Sequence, residues 1–202
     1  MGDLIGVIGN SGAGKTTLTR LLCERLPLIT GLEQHRERPF QQLFAQSGAR
    51  YALANQVDYL LFRAEQEWHI RQRGSVGIQD GGLDEDFHVF TRYFFEQGRL
   101  TEAEFELCER LYALLRQRLP PPDVFIYLKA PLPVLVERLT GRNRALEIAK
   151  AADLAALQRL IDHWLGTLDP AVVIEIDAGA DDVEFSRSRA GLLRQLSIRL
   201  GL

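Results

Sequence analysis

The chain has 202 residues, 46% hydrophobic, 25% charged and 8% aromatic, which is the composition of an ordinary soluble globular protein. A chain of this length buries roughly 70% of its unfolded surface, so neither a disulfide framework nor a structural metal is required. Lys and Arg number 24 against 27 Asp and Glu, a net charge of −3, which argues against a duplex-binding protein but leaves a phosphate-bearing small ligand open.

The N-terminal segment is apolar, carries Asp3 rather than a basic lead, and runs directly into a motif. It reads as a first strand, residues 4–8, and not as a targeting peptide. Gly9-Asn10-Ser11-Gly12-Ala13-Gly14-Lys15-Thr16 then fits the phosphate-binding pattern G-x-x-x-x-G-K-[ST] at every fixed position. Its glycines let backbone N–H groups approach phosphate oxygens that side chains would block. The helix predicted over 16–25, beginning Thr16-Thr17, adds the positive end of its dipole. Lys15 would reach the β/γ-phosphates and the Thr16 hydroxyl would ligate Mg²⁺. A Gly-rich turn matching by chance is the alternative, and the apolar run before it and the helical pattern after it speak against that.

Further short apolar runs at 26–30, 75–79, 124–128 and 172–176 read as buried parallel strands. Helical periodicity fills the intervals at 52–73, 85–96, 102–119, 133–139 and 153–168, with a last amphipathic helix in the tail from 186 to 202. The expected fold is therefore α/β: a five-stranded parallel sheet flanked by helices, of the P-loop NTPase type, in one domain spanning 1–202. Pro120-Pro121-Pro122 ends one helix and introduces the fourth strand. Cys23 and Cys108 show no metal or redox spacing and read as buried thiols of a reducing cytosol. His35, His69, His88 and His163 fit no zinc pattern.

After the fourth strand comes an Arg-rich segment, Val136-Glu137-Arg138-Leu139-Thr140-Gly141-Arg142-Asn143-Arg144, which begins a lid over about 138–150. Guanidinium groups closing on a transferring phosphoryl would stabilise its charge; the bland alternative is a solvated basic turn. The chain lacks an Asn-Lys-x-Asp guanine-reading motif, and its size leaves little room for a motor or a GTPase, so a small-molecule kinase is favoured.

Several segments in order resemble the deoxynucleoside kinase family, especially its bacterial deoxyadenosine/deoxyguanosine branch, from Gly9 to about Asp182. They are Glu33 to Phe40; Gln56 with Tyr59-Leu60, Arg63 and Gln66; Gln79 to Asp86 followed by Phe95-Glu96-Gln97-Gly98; and Pro121-Pro122-Asp123 running into Val136-Glu137-Arg138. The resemblance implies ATP–Mg²⁺ as phosphoryl donor and a deoxynucleoside 5′-hydroxyl as acceptor. It makes Glu33 the general base, with Glu37 as rival, and Gln56 the reader of the base edge. Asp80 would stand near Mg²⁺; Arg138, Arg142 and Arg144 would act on the phosphates; Glu147 would take the 3′-hydroxyl. The partners implied are a small nucleoside and ATP, with no nucleic acid or membrane, in a cytoplasmic homodimer joined through the helix at 52–64.

Three positions depart from the family pattern. Gly81, inside Gly81-Gly82, replaces an Arg beside the base; Ala45 replaces a Tyr on the 3′-hydroxyl; Gln34-His35 replaces Pro-Val. Losing such a donor costs ~3 kcal/mol of transition-state stabilisation. The change admits an Arg from elsewhere (Arg36, Arg38 or Arg92), another small acceptor such as a nucleoside monophosphate, or a nucleotide-binding module with little turnover.

Overall fold

The computed structural model describes residues 1–31, 38–141 and 151–202. β1 (Leu4–Gly9) is an uninterrupted apolar run, buried at every position, as a strand covered on both faces must be. It lies at the centre of a five-stranded sheet with β2 (Ile29–Gly31), β3 (Gly77–Asp80), β4 (Val124–Lys129) and β5 (Val173–Asp177), in the order β2-β3-β1-β4-β5. Every ladder in the sheet is parallel, with Leu4 opposite Gly77 and Ile5 opposite Val124. The expected α/β architecture is what the chain forms.

The helices are α1 (Lys15–Arg25), α2 (Pro39–Ser47), α3 (Ala52–Gln72), α4 (Leu83–Glu85), α5 (Arg92–Glu96), α6 (Glu102–Arg116), α7 (Leu132–Thr140), α8 (Leu154–Leu165) and α9 (Arg189–Leu200). Alternation along β4 divides the core. Val124, Ile126 and Leu128 face Leu18 and Leu22 of α1, Leu135 of α7 and Leu192 and Leu196 of α9. Phe125 and Tyr127 face Val89, Tyr93, Phe94 and the α8 residues Leu157, Leu160, Ile161 and Trp164. A third cluster joins Leu60 and Ala64 of α3 to Phe105 and Cys108 of α6. No helix among the described residues is long and apolar enough to cross a membrane.

Among the described residues the structure departs from the sequence expectation in several places. The second strand begins later than residue 26, because Leu26 caps α1 by donating its N–H to the Leu22 carbonyl. α2 lies where the apolar spacing marks no helix, and it packs Phe44 against Phe94, ring centroids 4.9 Å apart. The helix expected over 85–96 is divided: a π-helical turn, Asp86–Thr91, separates α4 from α5, and the Thr91 hydroxyl stands 2.9 Å from the Asp86 carbonyl it would cap. α6 stops at Arg116, ahead of the prolines, and the Pro120 carbonyl accepts from Arg71 Nη2 at 2.9 Å. Cys108 is buried as expected, whereas Cys23 is half-buried; both are free thiols.

Candidate active site

The motif at 9–16 forms the connection from β1 to α1, at the carboxyl end of the central strand where open α/β sheets place their ligands. Gly12 (φ 85°) and Gly14 (φ 101°) adopt left-handed backbone that turns the loop around its own axis, and Gly14 is the N-cap of α1. Asn10 contributes backbone to the loop, while its side chain is spent on support: Oδ1 accepts from Ser11 N at 2.8 Å and Nδ2 donates to the Leu154 carbonyl at 2.8 Å. Ala13 N donates to the Asn10 carbonyl at 3.1 Å. Phe185, also left-handed at φ 51°, brings its ring edge to within 3.2 Å of where a Cβ on Gly14 would lie. Thr17 is exposed at the second turn position.

Lys15 Nζ donates to the Gly9 carbonyl and lies 3.7 Å from Glu85 Oε1. Thr16 Oγ1 donates to Asp80 Oδ2 at 2.5 Å. Asp80 is delivered by the end of β3 and fixed by the next residue, since Gly81 N donates to the Val7 carbonyl at 3.0 Å. A hydroxyl and a carboxylate are thus brought together from elements far apart in sequence.

Gln56 of α3 is buried, and its Oε1 lies 2.9 Å from the Thr91 hydroxyl of the π-helical turn. Two helical turns further along the same face, Arg63 enters the site. Its Nε donates to Asp86 Oδ2 at 2.8 Å and its Nη1 to the Asp80 carbonyl at 2.8 Å. Its Nη2 is 3.1 Å from where a Cβ on Gly81 would stand, and Glu85 Oε2 is 3.0 Å from the same point. Gly81 is itself left-handed, at φ 75°. Glu85 is buried, and burial holds its carboxyl above the usual carboxylate range although Lys15 and the Gly9 N–H oppose that rise.

Of the arginines that could stand in for the missing one, Arg38 and Arg92 are engaged elsewhere. Arg38 is committed to Asp58, with Nε to Oδ2 at 2.6 Å, and Arg92 lies over the Phe105 ring at 4.5 Å; Arg36 lies outside the described residues. Neither Arg63 nor Glu85 was singled out for this place. The signal that bore on it was the Gly81-Gly82 pair, which marks a close approach without saying of what. Arg138, at the end of α7, donates from Nη2 to the Ala178 carbonyl at 2.9 Å, and its Cβ is 3.6 Å from a Cβ position on Gly12. Glu33, Glu37, Arg142, Arg144 and Glu147 lie outside the described residues.

The family model for deoxynucleoside kinases matches residues 5–199. The chain belongs to the deoxynucleoside kinase family. It is a phosphotransferase that uses ATP to phosphorylate deoxynucleosides. Among the relatives of this deoxynucleoside kinase family member, deoxyadenosine/deoxycytidine kinase of Bacillus subtilis is 25% identical over 86% of this chain and 82% of its own. Deoxyguanosine kinase of the same organism is 27% identical over 91% and 90%. The fold is that of deoxyadenosine kinase from M. mycoides, solved with bound dCTP, at a TM-score of 0.79 and 18% identity over 95% of this chain and 99% of that one.

Proposed function

We propose that the chain transfers the γ-phosphoryl of ATP in line to the 5′-hydroxyl of a deoxynucleoside, giving the monophosphate and ADP. The observation that carries this reading is the Thr16–Asp80 pair, 2.5 Å apart, at the end of the sheet where Gln56 and Arg63 also converge. A hydroxyl and a carboxylate are hard oxygen donors of the kind Mg²⁺ takes, and the ion would part the hydrogen bond between them and keep its other positions for water and phosphate oxygens. Thr16 and Asp80 would hold the ion, and the ion when bound neutralises phosphate charge.

The phosphate-binding loop, Gly9 to Thr16 with Thr17, receives the triphosphate on its N–H groups, and Lys15 leaves the Gly9 carbonyl for the β/γ-phosphates. Arg138, Arg142 and Arg144 close on the same phosphates. Glu33 takes the proton of the acceptor hydroxyl, Gln56 hydrogen-bonds the base edge and Glu147 binds the 3′-hydroxyl. Arg63 supplies the acceptor side with the cation that Gly81 does not carry, which supports turnover over silent nucleotide binding. The match over 5–199 supports one functional domain. Exposed apolar residues on α3 and α6 support a homodimer, and the free Cys23 and Cys108 suit a cytoplasmic setting.

The test is a phosphoryl-transfer screen with ATP against the four deoxynucleosides and their monophosphates. Turnover of a deoxynucleoside is expected. Turnover confined to monophosphates would move the acceptor assignment, and none at all would leave the binding module.

A further inference from the structure

Glu85 has no part in the mechanism so far, yet its carboxyl stands at the centre of the site, beside Lys15. It is 4% exposed, on the short helix that follows Asp80. A carboxylate buried so completely is costly unless its oxygens are matched by donors and cations. Oε1 accepts from Gly9 N at 3.0 Å and lies 3.7 Å from Lys15 Nζ. Oε2 points the other way, to the space above Gly81, where Arg63 Nη2 approaches the same point. One carboxylate therefore stands between the cation of the phosphate-binding loop and the cation of the acceptor pocket. The glycine at 81 is what admits it, since a Cβ there would lie 3.0 Å from Oε2 and 3.1 Å from Nη2.

We propose that Glu85 is the positioning residue of the site: its buried carboxylate sets Lys15 on the donor side and, across the gap left by Gly81, faces Arg63 on the acceptor side. Lys15 carries a flexible four-carbon stem, and a fixed counter-charge at its tip lowers the number of places the ammonium can occupy. The γ-phosphoryl in transit would pass between two cations whose spacing one anion sets, so misplacing either affects the transition state more than ground-state binding. A plain structural brace is the rival account, because Glu85 also holds the first N–H of the loop.

Glu85→Gln separates the two, since an amide oxygen still accepts from Gly9 N while the charge is lost. This inference rests on the proposed deoxynucleoside kinase reaction, so wild-type turnover is measured first; its absence defeats the reaction assignment and this inference with it. With wild-type turnover present, the variant should lose at least about tenfold in kcat while the Kd for ATP, measured by calorimetry, stays within about threefold. A kcat within about threefold of wild type, or a loss of ATP affinity equal to the loss of kcat, overturns the proposal. Should the Gln variant fail to fold, Glu85→Asp keeps the charge but draws it back by one methylene, and the same two thresholds decide.

Discussion

Lys15 meets two partners, the Gly9 carbonyl and the Glu85 carboxyl, which hold its side chain along the loop. Lys15→Ala removes a charge aimed at the transferring phosphoryl and should lower kcat/KM about 10²- to 10³-fold in steady-state assays; unchanged ATP affinity and activity would remove the loop assignment. Gln56→Leu keeps the volume and, on the proposed role of Gln56, would leave the base edge unpaired. At about 1–3 kcal/mol for such a group, KM for the deoxynucleoside should rise about 5- to 150-fold with KM for ATP unmoved. Equal changes in both KM values would place Gln56 outside the acceptor pocket. Lys15 and Thr16 were legible because their chemistry is written in consecutive residues and in the glycines between them. Asp80 was legible as the residue ending a strand. Arg63 and Glu85 were not, because they meet only where α3 crosses the end of β3, and a glycine records a close approach without naming the group that makes it.

The segment from α4 to α5 shows the same limit at the level of elements. Apolar spacing over 85–96 reads as a helix, and a helix of a kind is there, but periodicity cannot report the extra residue that makes Asp86–Thr91 a π-helical turn. That widening brings Thr91 beside Gln56 and leaves Asp86 to pair with Arg63. His88, in the same turn, stacks on Trp164 with centroids 5.3 Å apart and holds Tyr112 at Nε2, 3.1 Å from the hydroxyl. Burial lowers its pKa from the usual 6.5; Asp84 opposes this, and Arg92 and Arg116 add to it. The folded state thus binds fewer protons here than the unfolded chain. The stability linked to His88 is complete above pH 6.5 and is lost as pH falls through the lowered folded value. His88→Phe keeps a ring against Trp164 without the titration. Chemical denaturation at about pH 7.5 and about pH 5.5 should show a smaller loss on acidification in the variant than in wild type. Equal losses would show that His88 does not report the acid sensitivity.

Over the molecule as a whole, the near-neutral charge conceals a division. Lys15 and Arg63 stand at the carboxyl end of the sheet against Glu85 and Asp86, with Asp80 beside them, so the site is charged while the chain is almost balanced. The apolar surface is divided too. α3 and α6 pack on each other through Leu60, Ala64, Phe105 and Cys108. On the outside they carry Leu61 (42% exposed) and Trp68 (41%), and Leu107 (46%) and Leu114 (57%). Each pair is seven residues apart, two helical turns, so each helix carries an exposed apolar stripe along one of its own faces. Stripes of large apolar side chains on adjacent helices mark an association surface more often than a solvated one. A second copy of the chain, related by a twofold axis, would bury them as a four-helix packing. Sedimentation velocity at micromolar concentration should therefore give a dimer, and Leu114→Asp should raise its dissociation constant by at least about tenfold, since a carboxylate cannot be buried there without a partner. Because α3 also carries Gln56 and Arg63, loss of the dimer should loosen the acceptor pocket before the phosphate loop: KM for the deoxynucleoside should rise in the variant while KM for ATP holds. A wild-type monomer would assign the stripes to another partner; a dimer unchanged by Leu114→Asp would place the interface on a different face.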